Sequence, residues 1–483
     1  MTTLRAPFLP RNEFRAAQGY RLLPFRFLPF KDEKYVATNE VGHYVVLSRD
    51  ELQTFADHAL QPETEIFKTL KARHFLFDDD SRAAVDLLAL KYRTRAERIS
   101  WFTGLHIFVV TLRCDHSCHY CQVSRQTEDR VNFDMTRSHA DKALAFAFRS
   151  PSPNIKLEFQ GGEPLLNFEL IRYIVERAEQ LNAAAQRNLA FVIASNLSRL
   201  TPDILAFCRE HGVHLSTSLD GPEDLHEAQR PLRNGHSYAT TIDSIQRARA
   251  ALGHDAVSAL MTTTPASLGR VEEIVDEYMH LGFRSIFLRN LSPYGFAARS
   301  LIRRYDVDDW VAFYKRGLSH VLELNRRGYP MREELTSILL QKMFSPSGAS
   351  YVDLQSPAGI GIGAIVYNYD GAIYASDEGR MLAEMDDESF RLGHLDSDSF
   401  ESVMTSETLL SALSDSMAEG APMCCAFLPY CGADPVFHKA TQGDVVGHKA
   451  FSAFCKRQMA LLRHLISLLE DDAGSREILL GWV

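Results

Sequence analysis

The feature that most constrains the fold is a series of six short apolar segments that alternate with amphipathic helical patterns between about residues 103 and 305. This alternation is typical of a parallel sheet with helices on its outer face. Six units are too few to close an eight-stranded barrel, so we expect an α/β fold built on a partial (β/α)6 barrel. The predicted strands are 106–112, 155–159, 189–194, 213–219, 256–263 and 284–289.

Different sequence patterns flank this core. Near the N-terminus a hairpin is predicted around Asn39–Gly42, and the capping-box pattern Ser48–Glu51 opens a helix. The exposed strand edge of such a module suits peptide binding, and a structural flap is the alternative. The expected divisions are an N-terminal α+β, winged-helix-like domain over 1–100, the barrel over 101–305, a helical linker over 306–350 and a C-terminal domain over 351–483.

Three further elements are predicted from periodicity and turn residues. Residues 168–181 show an apolar face at helical spacing, and 456–470 read as a final helix. The turn Asn368–Gly371 lies between two apolar segments and predicts a second hairpin.

Composition and charge exclude several classes of function. The 483 residues include 52 Lys and Arg against 62 Asp and Glu, which gives a net charge of −10. This balance argues against a nucleic-acid partner bound by phosphate neutralisation. The apolar run His106–Leu112 is far shorter than the ~20 residues that span a bilayer, and the N-terminus lacks signal-peptide features. We therefore expect a cytoplasmic protein with no membrane partner.

Cysteine distribution points to metal or redox chemistry. Seven of the eight cysteines fall into two groups, whereas Cys208 stands alone in a helical pattern. In a reduced compartment, clustered cysteines indicate metal binding more than disulfides. The first group is Cys114, Cys118 and Cys121, and the second is Cys424, Cys425, Cys431 and Cys455.

The first group has the spacing CxxxCxxC and follows the first barrel strand directly. Barrel folds place their chemistry at the carboxyl ends of the strands. Three thiolates on one loop can hold three irons of a 4Fe–4S cluster and leave the fourth iron open for another ligand. The alternative is zinc, with His116 or His119 as the fourth ligand.

With Tyr120 before its third cysteine, this motif resembles that of the radical S-adenosylmethionine (SAM) superfamily, and Gly161–Pro164 resembles the family's GGEP motif. The resemblance implies a 4Fe–4S cluster whose open iron binds SAM. It also implies an electron donor such as flavodoxin or ferredoxin, and a 5′-deoxyadenosyl radical that takes a hydrogen atom from the substrate. Glycines permit close approach, and a carboxylate suits the SAM ammonium group.

Further candidate SAM contacts lie where later strands end. The segment Ser216–Pro222, together with Arg230, resembles the SLDGP…RP pattern of peptide-modifying members. For four of these candidates a purely structural role is the alternative: Ser195, Asn196, Ser218 and Arg289. The candidate contacts are Tyr120, Gly161, Gly162, Glu163, Pro164, Ser195, Asn196, Ser218 and Arg289.

The C-terminal cysteines resemble those of the SPASM domain, which carries auxiliary 4Fe–4S clusters. Cys425, Cys431 and Cys455 match three ligands of its second cluster. The usual fourth position is Pro422 here, so Cys424 is the nearest replacement. Structural zinc is the alternative for this site.

The first SPASM cluster is expected to be absent, because its cysteine positions hold Ser356, Ser376 and Pro435. One auxiliary 4Fe–4S cluster is therefore expected. In sulfatase-maturing relatives an Asp at the place of Asp377 acts as a base, and a carboxylate here is suited to accept a proton. The alternative is that Asp377 belongs to a solvated acidic edge.

Longer segments, among them Phe108–Cys114, Ser292–Ala297 and Ala426–Pro435, resemble the HxsB family over nearly the whole chain. HxsB is the radical SAM maturase of the His-Xaa-Ser peptide system. The resemblance implies a ribosomally made precursor peptide as substrate, crosslink formation, and a second radical SAM maturase as partner. The alternatives are a sulfatase-type formylglycine maturase and a non-catalytic scaffold that binds the precursor for a partner radical SAM enzyme.

Overall fold

The computed structural model describes residues 19–79, 83–299, 305–346, 359–418, 425–432 and 434–483. The chain forms two compact units. No helix within these ranges is long and apolar enough to cross a membrane. The first unit comprises the described parts of Met1–Glu97, Lys342–Gly348 and Gly420–Tyr430, and the second comprises those of Arg98–Gln341, Ala349–Glu419 and Cys431–Val483.

The first unit contains a three-stranded antiparallel sheet in the order β2-β3-β4 and a separate pair, β1 with β5. The predicted capping box is confirmed: the Ser48 hydroxyl accepts from the Glu51 N–H (3.2 Å), and the Glu51 carboxylate accepts from the Ser48 N–H (2.8 Å). The elements are β1 Arg21–Leu22, β2 Phe25–Pro29, β3 Lys34–Asn39, β4 Tyr44–Ser48, α1 Arg49–Ala56, α2 Glu65–Ala72, β5 Leu76–Phe77 and α3 Ala84–Ala96.

Later segments of the chain complete this unit. The Arg95 guanidinium donates to the carbonyl oxygens of Lys342 (3.0 Å) and Pro429 (2.5 Å). The Tyr430 hydroxyl donates to the carbonyl of Gly42 at 2.6 Å. The first hundred residues therefore do not make up the unit alone.

The second unit is built on the predicted parallel sheet. Six strands run parallel in the order β12-β10-β9-β8-β7-β6, which confirms the partial (β/α)6 barrel. The strands are β6 Leu105–Thr111, β7 Asn154–Gly161, β8 Asn188–Ala194, β9 Val213–Ser218, β10 Val257–Thr262, β11 Ser285–Ile286 and β12 Leu288–Arg289.

The predicted strand over 284–289 is divided into two pieces. β12 pairs with β10, whereas β11 pairs with β13, Arg332–Glu333. The Leu288 N–H donates to the carboxylate of Glu333 at 3.1 Å, and that carboxylate is fully buried. A side-chain acceptor thus replaces a strand partner at the break.

Helices cover the outside of the barrel. The predicted helix over 168–181 is α6, which extends to Ala185 and buries Ile171, Ile174 and Val175 on its apolar face. The helices are α4 Arg130–Phe133, α5 Arg137–Ala147, α6 Phe168–Ala185, α7 Pro202–Glu210, α8 Glu223–Gln229, α9 Ser237–Leu252, α10 Val271–His280 and α11 Gly295–Arg299.

The second predicted hairpin is confirmed, but its position was not foreseen. Strand β14, Ala364–Tyr367, pairs in parallel with β6, and β15 (Ala372–Tyr374) and β16 (Arg391–His394) follow antiparallel. The barrel sheet therefore has nine strands. The hairpin covers the β6 edge, which would otherwise expose unpaired backbone groups.

The C-terminal part of the chain is mostly helical. The predicted linker over 306–350 contains two helices separated by β13, and a short helix follows the predicted final one. The helices are α12 Val307–Arg326, α13 Glu334–Phe344, α14 Asp377–Ala383, α15 Phe400–Met404, α16 Glu407–Ala418, α17 Pro435–Gln442, α18 Ala453–Asp471 and α19 Ala473–Leu480.

Candidate active site

The three cysteines of the first group lie on a loop of residues 114–121, the cysteine loop, which follows β6 at the carboxyl end of the sheet. This loop is held by β-type pairing with residues 229–233, the rim segment, which follows α8. The pairing orders the loop backbone. Its bonds include Ser117 N–H to Pro231 C=O (2.9 Å) and His119 N–H to Gln229 C=O (3.0 Å).

The thiols of Cys114, Cys118 and Cys121 are free and partly buried. Burial raises the pKa of Cys114, and it raises that of Cys118 to about 11. Iron binding would have to displace these protons. Within the described ranges, no group of three Cys, His, Asp or Glu side chains stands close enough to hold one metal ion. The donor set itself, three soft thiols on one loop, fits an iron–sulfur cluster.

The ring of His116 bears on the zinc alternative. Its Nδ1 lies 3.0 Å from the Asp115 carboxylate, and its Nε2 lies 2.9 Å from the Ser237 hydroxyl. The side chain is almost fully buried. Both ring nitrogens are therefore engaged within the chain, and His116 would have to break these contacts to bind zinc.

Asp115 joins the cysteine loop to the end of β8. Its carboxylate accepts from the Asn196 amide (2.9 Å), the Ser198 hydroxyl (2.7 Å) and the Arg199 guanidinium (2.9 Å). Burial alone would raise the pKa of Asp115, but hydrogen bonds from His116, Ser198 and Asn196 hold it well below its usual range. Asn196, predicted as a SAM contact, thus orients the cysteine loop, and its amide nitrogen lies 4.0 Å from the Cys114 sulfur.

The Gly161–Pro164 turn packs directly against the start of the cysteine loop. The Gly162 N–H donates to Thr111 C=O at 2.9 Å, and the Glu163 N–H donates to Arg113 C=O at 2.7 Å. A Cβ atom at Gly162 would overlap the Arg113 carbonyl oxygen, and Gly161 has a φ of +144°. The glycines are therefore required by the chain's own packing, whatever the turn binds.

The carboxylate of Glu163 is bound by hydrogen-bond donors of the chain itself. It is fully buried and accepts from the Ser195 hydroxyl (2.7 Å), the Leu165 N–H (2.9 Å) and the Asn196 N–H (2.8 Å). Burial raises the pKa of Glu163 to about 7. In this arrangement Glu163 and Ser195 link the ends of β7 and β8, and a direct Glu163–ammonium contact stays a prediction.

Tyr120 is fixed by two charged residues. Its hydroxyl donates to the Asp220 carboxylate at 2.7 Å and accepts from the Arg230 guanidinium at 2.6 Å. Asp220 is fully buried and also accepts from the Thr262 N–H at 3.2 Å. Burial raises the pKa of both Tyr120 and Asp220. The aromatic ring beside Cys121 is thereby held in one orientation.

The sequence alone did not assign roles to Asp115, Asp220 and Arg230, and it named His116 only as an alternative zinc ligand. Asp220 and Arg230 lie within the SLDGP…RP pattern, which was the available signal, but that pattern does not show that they meet at Tyr120. Of the other candidates, Ser218 ends β9 and Arg289 ends β12, as expected.

Asp377 is the first residue of α14, and the Ser376 hydroxyl caps that helix. Its carboxylate accepts from two nitrogens of Arg380, each at 3.3 Å. Arg380 is 1% exposed and also donates to Val123 C=O at 3.2 Å, just after the cysteine loop. Asp377 therefore pairs with Arg380 within α14, and Arg380 connects this helix to the segment that follows the cysteine loop. The role of Asp377 as a base stays a prediction.

The second cysteine group is divided between the units. Cys425 belongs to the first unit, and Cys431 and Cys455 belong to the second. All three thiols are free and partly buried, whereas Cys424 lies outside the described residues. The auxiliary cluster accordingly stays a prediction.

Residues 108–288 match the family model of the radical SAM superfamily. This segment contains the cysteine loop, the Gly161–Pro164 turn and the rim segment. Over these residues the barrel is thus similar to the radical SAM superfamily.

Two curated proteins share part of this chain. An uncharacterized protein of Methanocaldococcus jannaschii is 28% identical over 188 residues, which are 39% of this chain and 62% of that protein. The radical SAM cyclopropyl synthase TigE of Paramaledivibacter caminithermalis is 23% identical over 151 residues, 29% of this chain and 31% of TigE. The chain thus spans less than two thirds of the length of either relative.

Two solved structures share the fold more widely. The structure of anSMEcpe with bound AdoMet has a TM-score of 0.62 at 15% identity and covers 78% of this chain and 100% of that one. Streptococcus suis SuiB bound to precursor peptide SuiA has a TM-score of 0.53 at 11% identity and covers 89% and 98%. At such identities the likeness concerns the fold, which is the mixed α/β radical SAM fold.

The contacts of Asp220 generate a stability prediction. Asp220→Ala leaves the Tyr120 hydroxyl and the Arg230 charge without their acceptor, so we expect a loss of about 3–5 kcal/mol in the free energy of unfolding. Asp224→Ala is the matched control, because Asp224 is exposed and pairs with Arg270 on the surface. Its loss should stay below about 1 kcal/mol. Equal losses in urea unfolding would contradict the structural role of Asp220.

Proposed function

We propose that this protein is a radical SAM enzyme that modifies a ribosomally made precursor peptide. The observation that carries the proposal is the cysteine loop, which begins at the carboxyl end of the first barrel strand within the segment that matches the radical SAM family model. When bound there, a 4Fe–4S cluster and SAM would supply the 5′-deoxyadenosyl radical that abstracts a hydrogen atom from the peptide.

The chain's own residues have separable tasks in this proposal. Cys114, Cys118 and Cys121 hold the cluster, and the backbone pairing with the rim segment presets their loop. Tyr120 is locked by Asp220 and Arg230 beside the third cysteine. Such preset positions lower the cost of ordering the site when cofactors bind.

A peptide substrate is supported by two kinds of likeness. SuiB, whose fold is similar, has been solved with a precursor peptide, and TigE is named as a cyclopropyl synthase. The HxsB resemblance narrows the substrate to His-Xaa-Ser repeats and the product to a crosslink. The same resemblance supports a second radical SAM maturase and a flavodoxin or ferredoxin as partners. One auxiliary 4Fe–4S cluster, held by Cys425, Cys431, Cys455 and Cys424, completes the proposal.

The first test counts iron. After anaerobic reconstitution, two clusters should give about eight iron per chain. Replacing Cys114, Cys118 and Cys121 with Ala should leave about four iron and abolish 5′-deoxyadenosine formation from SAM. The matched control is Cys208→Ala, since Cys208 is a buried thiol in α7 away from both groups; it should keep all the iron. A triple variant that retains full iron, or still cleaves SAM, would rule out the cluster assignment.

The second test concerns Asp377. Asp377→Asn keeps an oxygen acceptor for Arg380 but removes the basic carboxylate. If Asp377 accepts the substrate proton, 5′-deoxyadenosine should still form while modified peptide falls ~10²–10⁴-fold by mass spectrometry. Asp386→Asn, at an exposed position on the same segment, should change neither output. Parallel loss of both outputs in Asp377→Asn would make the residue structural.

We further propose that the first unit recognises the peptide along β2. In the described part of the chain β2 is an edge strand of its sheet, and Phe27 on this strand is 47% exposed, whereas Arg26 and Pro29 have further contacts. An extended peptide can pair with such an edge through backbone hydrogen bonds, and an exposed aromatic ring adds contact area. This edge is the surface on the first unit that we expect to bind the precursor.

Phe27→Asp should weaken binding of a synthetic peptide with two His-Xaa-Ser repeats by about tenfold or more, which corresponds to ~1.4 kcal/mol. Calorimetry measures this affinity, and SAM cleavage should not change. Val131→Asp is the control, because Val131 is an exposed apolar residue on α4 of the second unit. Unchanged affinity in Phe27→Asp would favour a structural flap.

A further inference from the structure

A cleft of the second unit lies where β12 ends. It encloses ≈ 620 Å³, including space open to solvent, between the segment that follows β12 and the helices α17 and α18. None of its lining residues is a cysteine or belongs to the cysteine loop. They include Arg289, Asn290, Tyr294, Phe437, Arg457 and Gln458.

Arg457 is the unusual residue of this cleft. Its guanidinium carbon lies 5.2 Å from the ring centre of Phe454, 5.7 Å from that of Phe437 and 5.9 Å from that of Trp310. No residue in the described ranges forms a hydrogen bond or an ion pair with this guanidinium. Among the described residues the guanidinium thus contacts three aromatic rings, and Asp434 attracts it without forming a direct ion pair.

The aromatic rings cover the faces of the Arg457 guanidinium but do not bind its hydrogen-bond donors. Cation–π contacts use the flat face of a guanidinium, whereas its hydrogen-bond donors point outward in its plane. Donors that are partly buried without acceptors cost free energy that a ligand can recover. The neighbouring Gln458 has a buried side-chain oxygen with no partner among the described residues. That oxygen is an acceptor and cannot bind a carboxylate, so the donors offered here are those of Arg457.

One of the acids that line the cleft, Asp434, attracts Arg457 electrostatically but forms no ion pair with it. Asp434 is occupied at the start of α17, where its carboxylate accepts from the N–H groups of Val436 (2.9 Å) and Phe437 (3.2 Å). Glu378 also lines the cleft, but neither acid forms an ion pair with Arg457. The lining thus carries two carboxylates, Glu378 and Asp434, and two cations, Arg289 and Arg457. A ligand with one negative charge disturbs this balance less than a multiply charged anion does.

A cysteine-bound cluster is the competing partner for Arg457, because Cys431 lies near enough to interact with it electrostatically, but the position of Cys455 does not favour it. Cys455 and Arg457 lie two positions apart on α18, and at 100° per residue their side chains leave the helix on nearly opposite sides. The planar fork of a guanidinium matches a carboxylate with two parallel hydrogen bonds. A carboxylate is therefore the ligand that the residues of the cleft fit best.

We infer that this cleft is a subsite that binds a single carboxylate of the peptide substrate, with Arg457 as its anchoring cation. The peptide as carrier rests on the proposed function, whereas carboxylate binding rests on the cleft alone. The carboxylate can come from an acidic side chain or from the C-terminus of the peptide. Both present the same planar group, and the experiment below separates them.

The test titrates the full-length protein by calorimetry with short capped peptides at millimolar concentration. The probes are acetyl-Gly-Glu-Gly-amide, its Gln counterpart, acetyl-Gly-Gly-Gly with a free C-terminus, and inorganic phosphate. We expect the Glu peptide or the free C-terminus to bind at least about tenfold more tightly than the Gln peptide. The better of the two identifies the source of the carboxylate. Equal binding of Glu and Gln peptides, or tighter binding of phosphate, overturns the inference.

Variants of Arg457 test whether this residue causes the difference in affinity between the Glu and Gln peptides. Arg457→Gln should abolish the difference between Glu and Gln peptides, and Arg457→Lys should retain part of it because the charge remains. Lys456→Gln is the matched control: Lys456 is an exposed neighbour that pairs with Asp308 at the surface (2.6 Å), so it should leave binding unchanged. Unaltered discrimination in Arg457→Gln overturns the inference.

Two further measurements separate the competing causes. Iron content and the electron paramagnetic resonance spectrum of Arg457→Gln should equal those of the wild type, and a loss of either would place Arg457 at a cluster instead and overturn the inference. SAM cleavage without peptide reports on the proposed function independently. Protein that discriminates the peptides but never cleaves SAM would disprove the proposed function and leave the carboxylate site standing.

Discussion

The rim of the barrel depends on buried carboxylates whose partners come from neighbouring strand ends. Asp115, Glu163 and Asp220 follow three different strands, and each is almost fully buried. A buried carboxylate is tolerated only when several donors compensate it. Here those donors lie on other loops, such as the Asn196 N–H at Glu163 and the Tyr120 hydroxyl at Asp220. The cost of burial thereby couples the loops, and the cysteine loop is positioned as part of this network.

The sequence predicted the barrel because its signal is local. Apolar strands such as Leu105–Thr111 and the apolar face of α6 show their periodicity within a few residues. The pairing of β14 with β6 was not predicted, since it joins residues more than 250 positions apart and leaves no periodic mark. The break at Leu288 depends likewise on the carboxylate of Glu333, which the chain reaches only through its tertiary fold.

The candidate site was likewise predicted where its signal is local and missed where it depends on tertiary contacts. Cys114, Cys118 and Cys121 were identified from spacing, and the structure places them together on one loop at the rim. The contacts of Glu163 could not be read from its motif, because a Gly-Gly-Glu-Pro turn does not show whether the carboxylate faces a ligand or the chain. Its full burial among donors of β8 makes it an internal link in this structure.

Arginines of the second unit show how an exception can mark a binding site. Arg113 forms a two-pronged ion pair with Asp134, at 2.7 and 2.8 Å, and Arg380 pairs with Asp377. Such pairs offset the desolvation of a guanidinium by supplying fixed acceptors. Arg457 contacts aromatic rings instead, which cover its faces, and no hydrogen bond to its donors occurs among the described residues. The donors of the Arg457 guanidinium can be satisfied by an acceptor on a bound ligand. We expect a ligand in this cleft because such binding would offset the cost of burying the cation.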